Sequence, residues 1–281
     1  MPVSRGSEKV RAFYERTGWR VDGARATDTE MFGVREDGPI RKALHRDLRA
    51  RIARALAPEG RVGRLLEMGC GGNPAVDLAA LADQYQGVDF STRGLELAAA
   101  RLAAAGVEFE LIEADITALP LSSASVDAVY SAHAFYHIDS REGQAAALAD
   151  ALRVLCPGGT AVLVLANPWP LLFPVRLLRR LVAALLRSGG GGPLPYLPLS
   201  PGWYARRAVA EGMTVRVETA GMASTWVNQR IAERRGLGRL YWRGLALVQL
   251  RFPRASAWLG NYFLLVVRKP PVTRPDKPAQ G

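Results

Sequence analysis

Cysteine is nearly absent. Cys70 and Cys156 are the only two in 281 residues, too few for a disulfide framework or a thiolate metal cluster, so a reducing compartment and no resident metal are expected. Long apolar runs are missing too: no stretch of roughly eighteen uncharged apolar residues occurs, which argues against a membrane-spanning helix. The segment from Met1 to Trp19 is charged and holds no apolar run, so no secretory signal is expected and the cytoplasm is the expected location. Lysine is scarce, at Lys9, Lys42, Lys269 and Lys277 alone, and acids are scarce in one half. Residues 1–150 carry 18 basic and 22 acidic side chains, a net of −4, whereas residues 151–281 carry 19 and 4, a net of +15. A GC-rich genome accounts for arginine in place of lysine but not for the lost acids. The asymmetry predicts an anionic surface or substrate beside the C-terminal part.

What is present is concentrated in Leu65-Leu66-Glu67-Met68-Gly69-Cys70-Gly71-Gly72-Asn73-Pro74, followed by Gln86-Gly87-Val88-Asp89. An apolar run stops at an acid and a Gly-x-Gly turn, and a second apolar run stops at Asp89. That is the layout of a nucleoside-binding βαβ unit: the turn lets a ligand approach bare backbone, and the acid takes two ribose hydroxyls. A dinucleotide site wants a third small residue where Pro74 stands, so that helix amides face a pyrophosphate. Here Asn73 is expected to cap the helix, with Pro74 at its first position. A ligand with ribose and no phosphate fits better.

The alternation of strands and helices predicts a doubly wound, mostly parallel α/β sheet. Residues 8–56 read as helices, with Val10, Phe13 and Tyr14 at helical spacing. Strands are expected at 61–68, 84–89, 107–113, 126–131, 160–166, 213–219 and 261–267, and helices at 74–83, 93–105 and 141–154. The expected organisation is a helical lid over 1–57, a core over 58–168, substrate-recognition helices with the last two strands over 169–269, and a disordered tail over 270–281. Within 175–187, Arg176, Arg179, Arg180 and Arg187 share one side of a helix, opposite Leu178, Leu181, Val182 and Leu185. A long helical insertion over 226–258 holds Arg230, Arg234, Arg235, Arg239, Arg243 and Arg251.

With the strands placed, residues 60–166 resemble class I S-adenosylmethionine-dependent methyltransferases, above all the small-molecule group that includes the quinone C-methyltransferases. The resemblance rests on Glu67-Met68-Gly69-Cys70-Gly71, Val88-Asp89, Glu113-Ala114-Asp115-Ile116 with Leu119-Pro120, and Leu155-Cys156-Pro157-Gly158-Gly159, in order and in register. Asn73 stands for the family's third glycine and Cys156 for its usual lysine. The resemblance implies a seven-stranded Rossmann-like methyltransferase sheet with a helical lid and insertions, and S-adenosyl-L-methionine as cofactor. It assigns Gly69 and Gly71 to the methionine part, Glu67 to the ammonium end and the loop, and Asp89 to the ribose. Phe90 packs on the adenine, Asp115 accepts from its N6 amine, and Ile116 covers the ring. His133 is expected beside the cofactor's amino-acid part, and His133, His137 or Tyr136 is the expected base if the acceptor must lose a proton. Pocket-wall packing is the competing role for these rings, and Tyr14 on the lid ranks behind them. Asn167-Pro168-Trp169-Pro170 resembles an amino-methyltransferase signature, but it follows the fifth strand rather than the fourth and is read as the start of the lid.

The expected acceptor is a small apolar or lipid-like molecule, because the regions that choose it interleave arginine with Trp169, Phe173, Trp203, Tyr204, Tyr241, Trp242 and Trp258. Helices of arginine and leucine suit an anionic bilayer, which makes a peripheral association with the inner face of the membrane the expected placement. Packing of the leucines on the sheet competes with it. RNA methylation ranks lower, because no RNA-binding or DNA-binding module is appended. A non-catalytic S-adenosylmethionine-binding protein and an NAD-dependent oxidoreductase remain as rivals.

Overall fold

The computed structural model describes residues 5–22, 25–28, 39–170, 194–221 and 235–271. The elements in chain order are α1 (Arg5–Arg16), β1 (Trp19–Asp22), β2 (Arg25–Asp28), α2 (Pro39–Leu56), β3 (Val62–Met68), α3 (Val76–Ala79), β4 (Ala82–Asp89), α4 (Thr92–Ala104), β5 (Phe109–Glu113) and β6 (Val126–Ala132). They continue through α5 (Arg141–Val154), β7 (Leu155–Ala166), α6 (Pro201–Ala210), β8 (Thr214–Gly221), α7 (Arg235–Arg251), α8 (Pro253–Leu259) and β9 (Tyr262–Arg268). The expected arginine helix at 175–187, the start of the insertion and most of the tail lie outside the described residues.

Seven strands form one sheet in the order β5-β4-β3-β6-β7-β9-β8. The first five are parallel, and β9 runs antiparallel to both β7 and β8. Successive side chains on a strand point to opposite faces, so each central strand feeds two cores. Leu66, Met68, Val129, Leu163 and Leu265 face α5 and α6, where they meet Leu148, Leu152, Trp203 and Tyr204. Leu65, Ala128, Tyr130, Val162 and Leu264 face the other way, against Ile52 and Leu56 of α2, Leu78 and Leu102. Each fully buried leucine contributes roughly 1.5–3 kcal/mol.

Helix starts follow local chemistry. Ser91 accepts from the Gly94 N–H at the head of α4, Ser140 from the Gly143 N–H at the head of α5, and Ser200 precedes Pro201 in the first turn of α6. Chain order reverses between β3 and β6, so the carboxyl ends of these two strands open a crevice where such sheets bind ligands. No helix among the described residues is long and apolar enough to cross a membrane.

Two local expectations change. Residues 8–56 are not helical throughout, because β1 and β2 pair antiparallel, Trp19 against Asp28 and Asp22 against Arg25. Asp22-Gly23 is a turn signal between extended-chain formers, and it outweighs the helical spacing around it. The helix after the glycine turn is also shorter than expected. It starts at Val76 with Ala75, which has no capping side chain, as its N-cap residue, and Asn73 is exposed. The Glu67 carboxylate takes the Ala75 N–H instead, so the cap is supplied from β3.

Candidate functional site

Leu66 and Met68 fix β3 in the core, and the chain leaves it through Gly69 at φ +72° and Gly71 at φ +50°. These are left-handed conformations that side chains disfavour. Space forbids a side chain as well. A Cβ on Gly69 would stand 2.5 Å from the Cβ of Ala134, and one on Gly71 would stand 2.8 Å from the Trp19 indole. Trp19 thus lies across the bare backbone of the turn. Gly94 brings the start of α4 close on the same turn, 3.3 Å from Gly71 by the same measure.

Two buried carboxylates frame the turn. Asp89, at the end of β4, accepts the N–H groups of Gly71 and Ser91 at 2.9 Å each. Burial outweighs these bonds and that of Phe90, and lifts its pKa from 3.8 to about 6. Glu67 accepts from Ala75 N–H at 2.9 Å and from the Tyr85 hydroxyl at 2.8 Å, and burial lifts its pKa to about 7. Its bonded oxygen therefore braces the turn from behind. Arg49 of α2 completes this support by pairing with Asp77 and donating to the Tyr130 hydroxyl at 3.0 Å. Asp115 accepts its own Thr117 N–H at 2.8 Å, a local turn that leaves it at the end of β5 with Ile116 half-buried beside it. Phe90 is half-buried between Asp89 and the α4 cap.

After β6 the chain turns through His133, a non-glycine residue at φ +63°, into a short 3-10 turn at Phe135–His137. His133 is half-buried with its Nδ1 enclosed and without a partner, and desolvation of the ring lowers its pKa to about 4. It is a neutral ring near physiological pH and a weak proton acceptor. Its ring meets Tyr262 edge-on at 4.8 Å between centroids and Tyr136 at 6.1 Å. Tyr136 in turn touches His137 at 4.7 Å and Tyr196 at 5.0 Å. Tyr14 lies 6.5 Å from His137 and 5.4 Å from Trp19, so rings run continuously from the glycine turn to β9.

His137 is held differently from His133. Its Nδ1 lies 3.0 Å from the Pro195 carbonyl, which can only accept, so Nδ1 carries a proton. The segment that supplies Pro195 and Tyr196 is fastened by Gln144. This buried side chain donates to the carbonyls of Ile138 and Leu197 and accepts from the Tyr204 hydroxyl. Asn167 is spent on structure: its amide nitrogen donates to the Trp258 carbonyl and its oxygen accepts the Trp169 N–H at 3.2 Å.

The structure therefore gathers Glu67, Gly69, Gly71 and Asp89 around one turn and joins His133, Tyr136 and His137 in one ring cluster. Phe90, Asp115 and Ile116 flank the turn from the ends of β4 and β5. Sequence reasoning did not single out Glu15, Trp19, Gln144, Tyr196 or Tyr262 for the site. Glu15 of α1 has one buried, partnerless oxygen and raises the pKa of Asp89, which places a second acid at that end of the turn. The partnerless Trp19 Nε1 and His133 Nδ1 add polar atoms beside bare backbone and a buried carboxylate. That set suits a ligand with a ribose and an amino-acid end. Among the described residues no group of three or more His, Cys, Asp or Glu side chains could hold a metal ion.

Residues 66–163 match the family model described as a methyltransferase domain. The chain is 35% identical over 202 residues to a demethylmenaquinone methyltransferase of Thermus thermophilus, covering 66% of this chain and 90% of that protein. Among solved structures, a geranyl diphosphate C-methyltransferase of Streptomyces coelicolor A3(2), in complex with Mg2+, geranyl diphosphate and S-adenosyl-L-homocysteine, superposes with a TM-score of 0.59. It is 16% identical and covers 96% of this chain and all (100%) of that one. The N-methyltransferase NodS of Bradyrhizobium japonicum, bound to S-adenosyl-L-homocysteine, gives 0.52 at 16% identity over 84% and 90% of the two chains.

Proposed function

From its membership of the class I S-adenosylmethionine-dependent methyltransferases, to which this chain belongs, we propose that it methylates a small apolar aromatic acceptor, a hydroquinone carrying a lipid-like tail. The observation that carries the acceptor is the ring cluster of Tyr14, His137, Tyr136, Tyr196, Tyr262 and His133, which starts at the glycine turn and offers flat apolar faces with few charges. The relative of Thermus thermophilus is named for a quinone, and that of Streptomyces coelicolor binds an isoprenoid; both support an acceptor with apolar bulk.

In this reading Gly69 and Gly71 leave backbone bare for the methionine part, and Asp89 accepts the ribose hydroxyls. Asp115 takes the adenine amine between Phe90 and Ile116. Glu67 keeps the turn in shape through Ala75 and Tyr85. His133, a neutral ring, lines the amino-acid end. S-adenosylmethionine supplies a methyl group on a sulfonium already primed to leave. The protein's part is to align acceptor and methyl, worth about 7–11 kcal/mol. His137, whose ring is oriented by the Pro195 carbonyl and lies in the ring cluster, takes the proton of an acceptor hydroxyl and so enriches the ring carbon that attacks. A carbon–carbon bond would form as the sulfur–carbon bond breaks, the ring carbon's own hydrogen would leave as the one proton released, and the proton held by His137 would return to the acceptor oxygen. The same reading makes the protein a peripheral enzyme that meets its acceptor at an anionic bilayer.

The test is a panel of acceptors incubated with the protein and methyl-deuterated S-adenosylmethionine, followed by mass spectrometry. Label on polyprenylated hydroquinones and not on RNA or small amines is expected. Label on RNA alone overturns the reading.

A further inference from the structure

Helix α7 buries one side and exposes another that ought not to be exposed in a helix of ordinary design. Gly238 and Trp242 are buried, with Tyr241, Leu245 and Gln249 half-buried beside them on the same side of the wheel. On the outward side Leu240 is 70% exposed, Leu247 67% and Leu250 81%. Arg239, Arg243 and Arg251 are exposed among these leucines rather than opposite them. Neither α7 nor α8 carries an acid, and Glu233 is the only one between Glu218 and Asp276. Solvent alone explains outward arginines but not outward leucines, which a water-facing helix would replace with polar residues.

Helix α8 packs against α7 and leads through Asn261 to β9. Trp169 and Trp258 are both exposed, at 65% and 49%, and both are tied to Asn167 at the end of β7. The Asn167 N–H donates to the Asn261 carbonyl, and the next residue, Tyr262, belongs to the ring cluster. Leucine and arginine on one face of a helix that holds no acid is the composition of an interfacial helix. Apolar side chains enter the acyl boundary and guanidinium groups reach lipid phosphates. A second copy of the chain fits poorly, since two such faces would bring like charges together without an acid between them. A nucleic-acid backbone would use the arginines and leave the leucines without a role.

We propose that the outward face of α7 docks on an anionic lipid bilayer. The surface feeds a lipid-like acceptor from the membrane toward Tyr262; this last step rests on the acceptor proposed above.

The test is flotation of the full chain with vesicles of phosphatidylcholine alone, or of phosphatidylcholine and phosphatidylglycerol in equal parts, at low salt. Two variants are compared with the parent: Leu240→Gln with Leu247→Gln and Leu250→Gln, and Arg239→Gln with Arg243→Gln and Arg251→Gln. The parent floats with the anionic vesicles and not with the neutral ones. The arginine variant loses partition by on the order of a hundredfold, and the leucine variant by at least about tenfold. Both keep the parent's methylation rate on a short-tailed hydroquinone in solution, which also shows that they fold. No flotation with anionic vesicles overturns the proposal, as does a leucine variant that floats like the parent or a parent that dimerises through this face instead. Hydroquinone methylation without flotation removes the surface and spares the acceptor. Flotation without hydroquinone methylation spares the surface and removes the acceptor.

Discussion

Replacing Asp89 with asparagine should separate binding from stability. Burial holds the Asp89 carboxyl at a pKa of about 6 against an ordinary 3.8, which is worth roughly 3 kcal/mol against the ionised form. Asparagine keeps the shape and removes that penalty at neutral pH. Against this, one Asp89 oxygen accepts from Gly71 and the other from Ser91, with the Phe90 N–H beside them, and an amide has only one oxygen to offer. One donor left without a partner costs about 1–3 kcal/mol. The two effects nearly cancel, so the ligand-free Asp89→Asn protein should melt within a few degrees of the parent or above it. Cofactor binding has no such compensation. Two ribose hydroxyls lose a charged acceptor, each bond worth about 1.5–3 kcal/mol, and one neutral acceptor remains. A net loss of about 2–4 kcal/mol weakens the Kd for S-adenosylmethionine roughly thirtyfold to a thousandfold. Calorimetric titration beside a thermal melt reads both quantities. A variant that binds like the parent, or one that loses its cooperative melt, would refute the reasoning.

pH should move stability and affinity in opposite directions. The carboxyls of Asp89 and Glu67 are raised to about 6 and about 7, so the stability they lend is complete below pH ~4 and is lost as pH rises through those values. Affinity for S-adenosylmethionine rises over the same window, because the ribose hydroxyls need ionised Asp89; melts and titrations from pH 5 to pH 8 that run parallel would contradict this. Gly69→Ala forces a side chain into φ +72° and against Ala134, and should cost about 2–4 kcal/mol in urea unfolding. Gln144→Leu strips partners from Tyr204 and from the Ile138 and Leu197 carbonyls, so stability drops by about 2–4 kcal/mol. Because Gln144 fastens the strand of chain that carries Tyr196, acceptor KM should rise more than kcat falls in that variant. Trp19 lies over Gly71, so titration with S-adenosylmethionine should change tryptophan emission, and Trp19→Phe should remove most of that change.

The sheet was legible because burial on two faces writes itself into apolar runs, and α5 begins and ends where its serine cap and apolar spacing put it. The donor turn was legible for a related reason: Gly69, Gly71 and Asp89 meet through one short βαβ unit, so their relation is local. What could not be read depends on distant contacts or competing local signals. Tyr262 reaches His133 only because β9 inserts between β7 and β8, and no local pattern announces that pairing. Tyr196 reaches Tyr136 through a fastening by Gln144, which looks in sequence like one more polar helix residue. The β1–β2 pair had a usable signal in Asp22-Gly23 that helical spacing nearby obscured. Asn73 looked like a cap, but Glu67 reached the free N–H first.

The most direct test of the proposed chemistry compares one polyprenylated acceptor in its two oxidation states, each incubated with the protein and methyl-deuterated S-adenosylmethionine. Only the reduced form has a hydroxyl proton for His137 to take and an electron-rich carbon to attack. Label in the hydroquinone and none in the quinone is the predicted result. Equal labelling of both forms, or of neither, would contradict it.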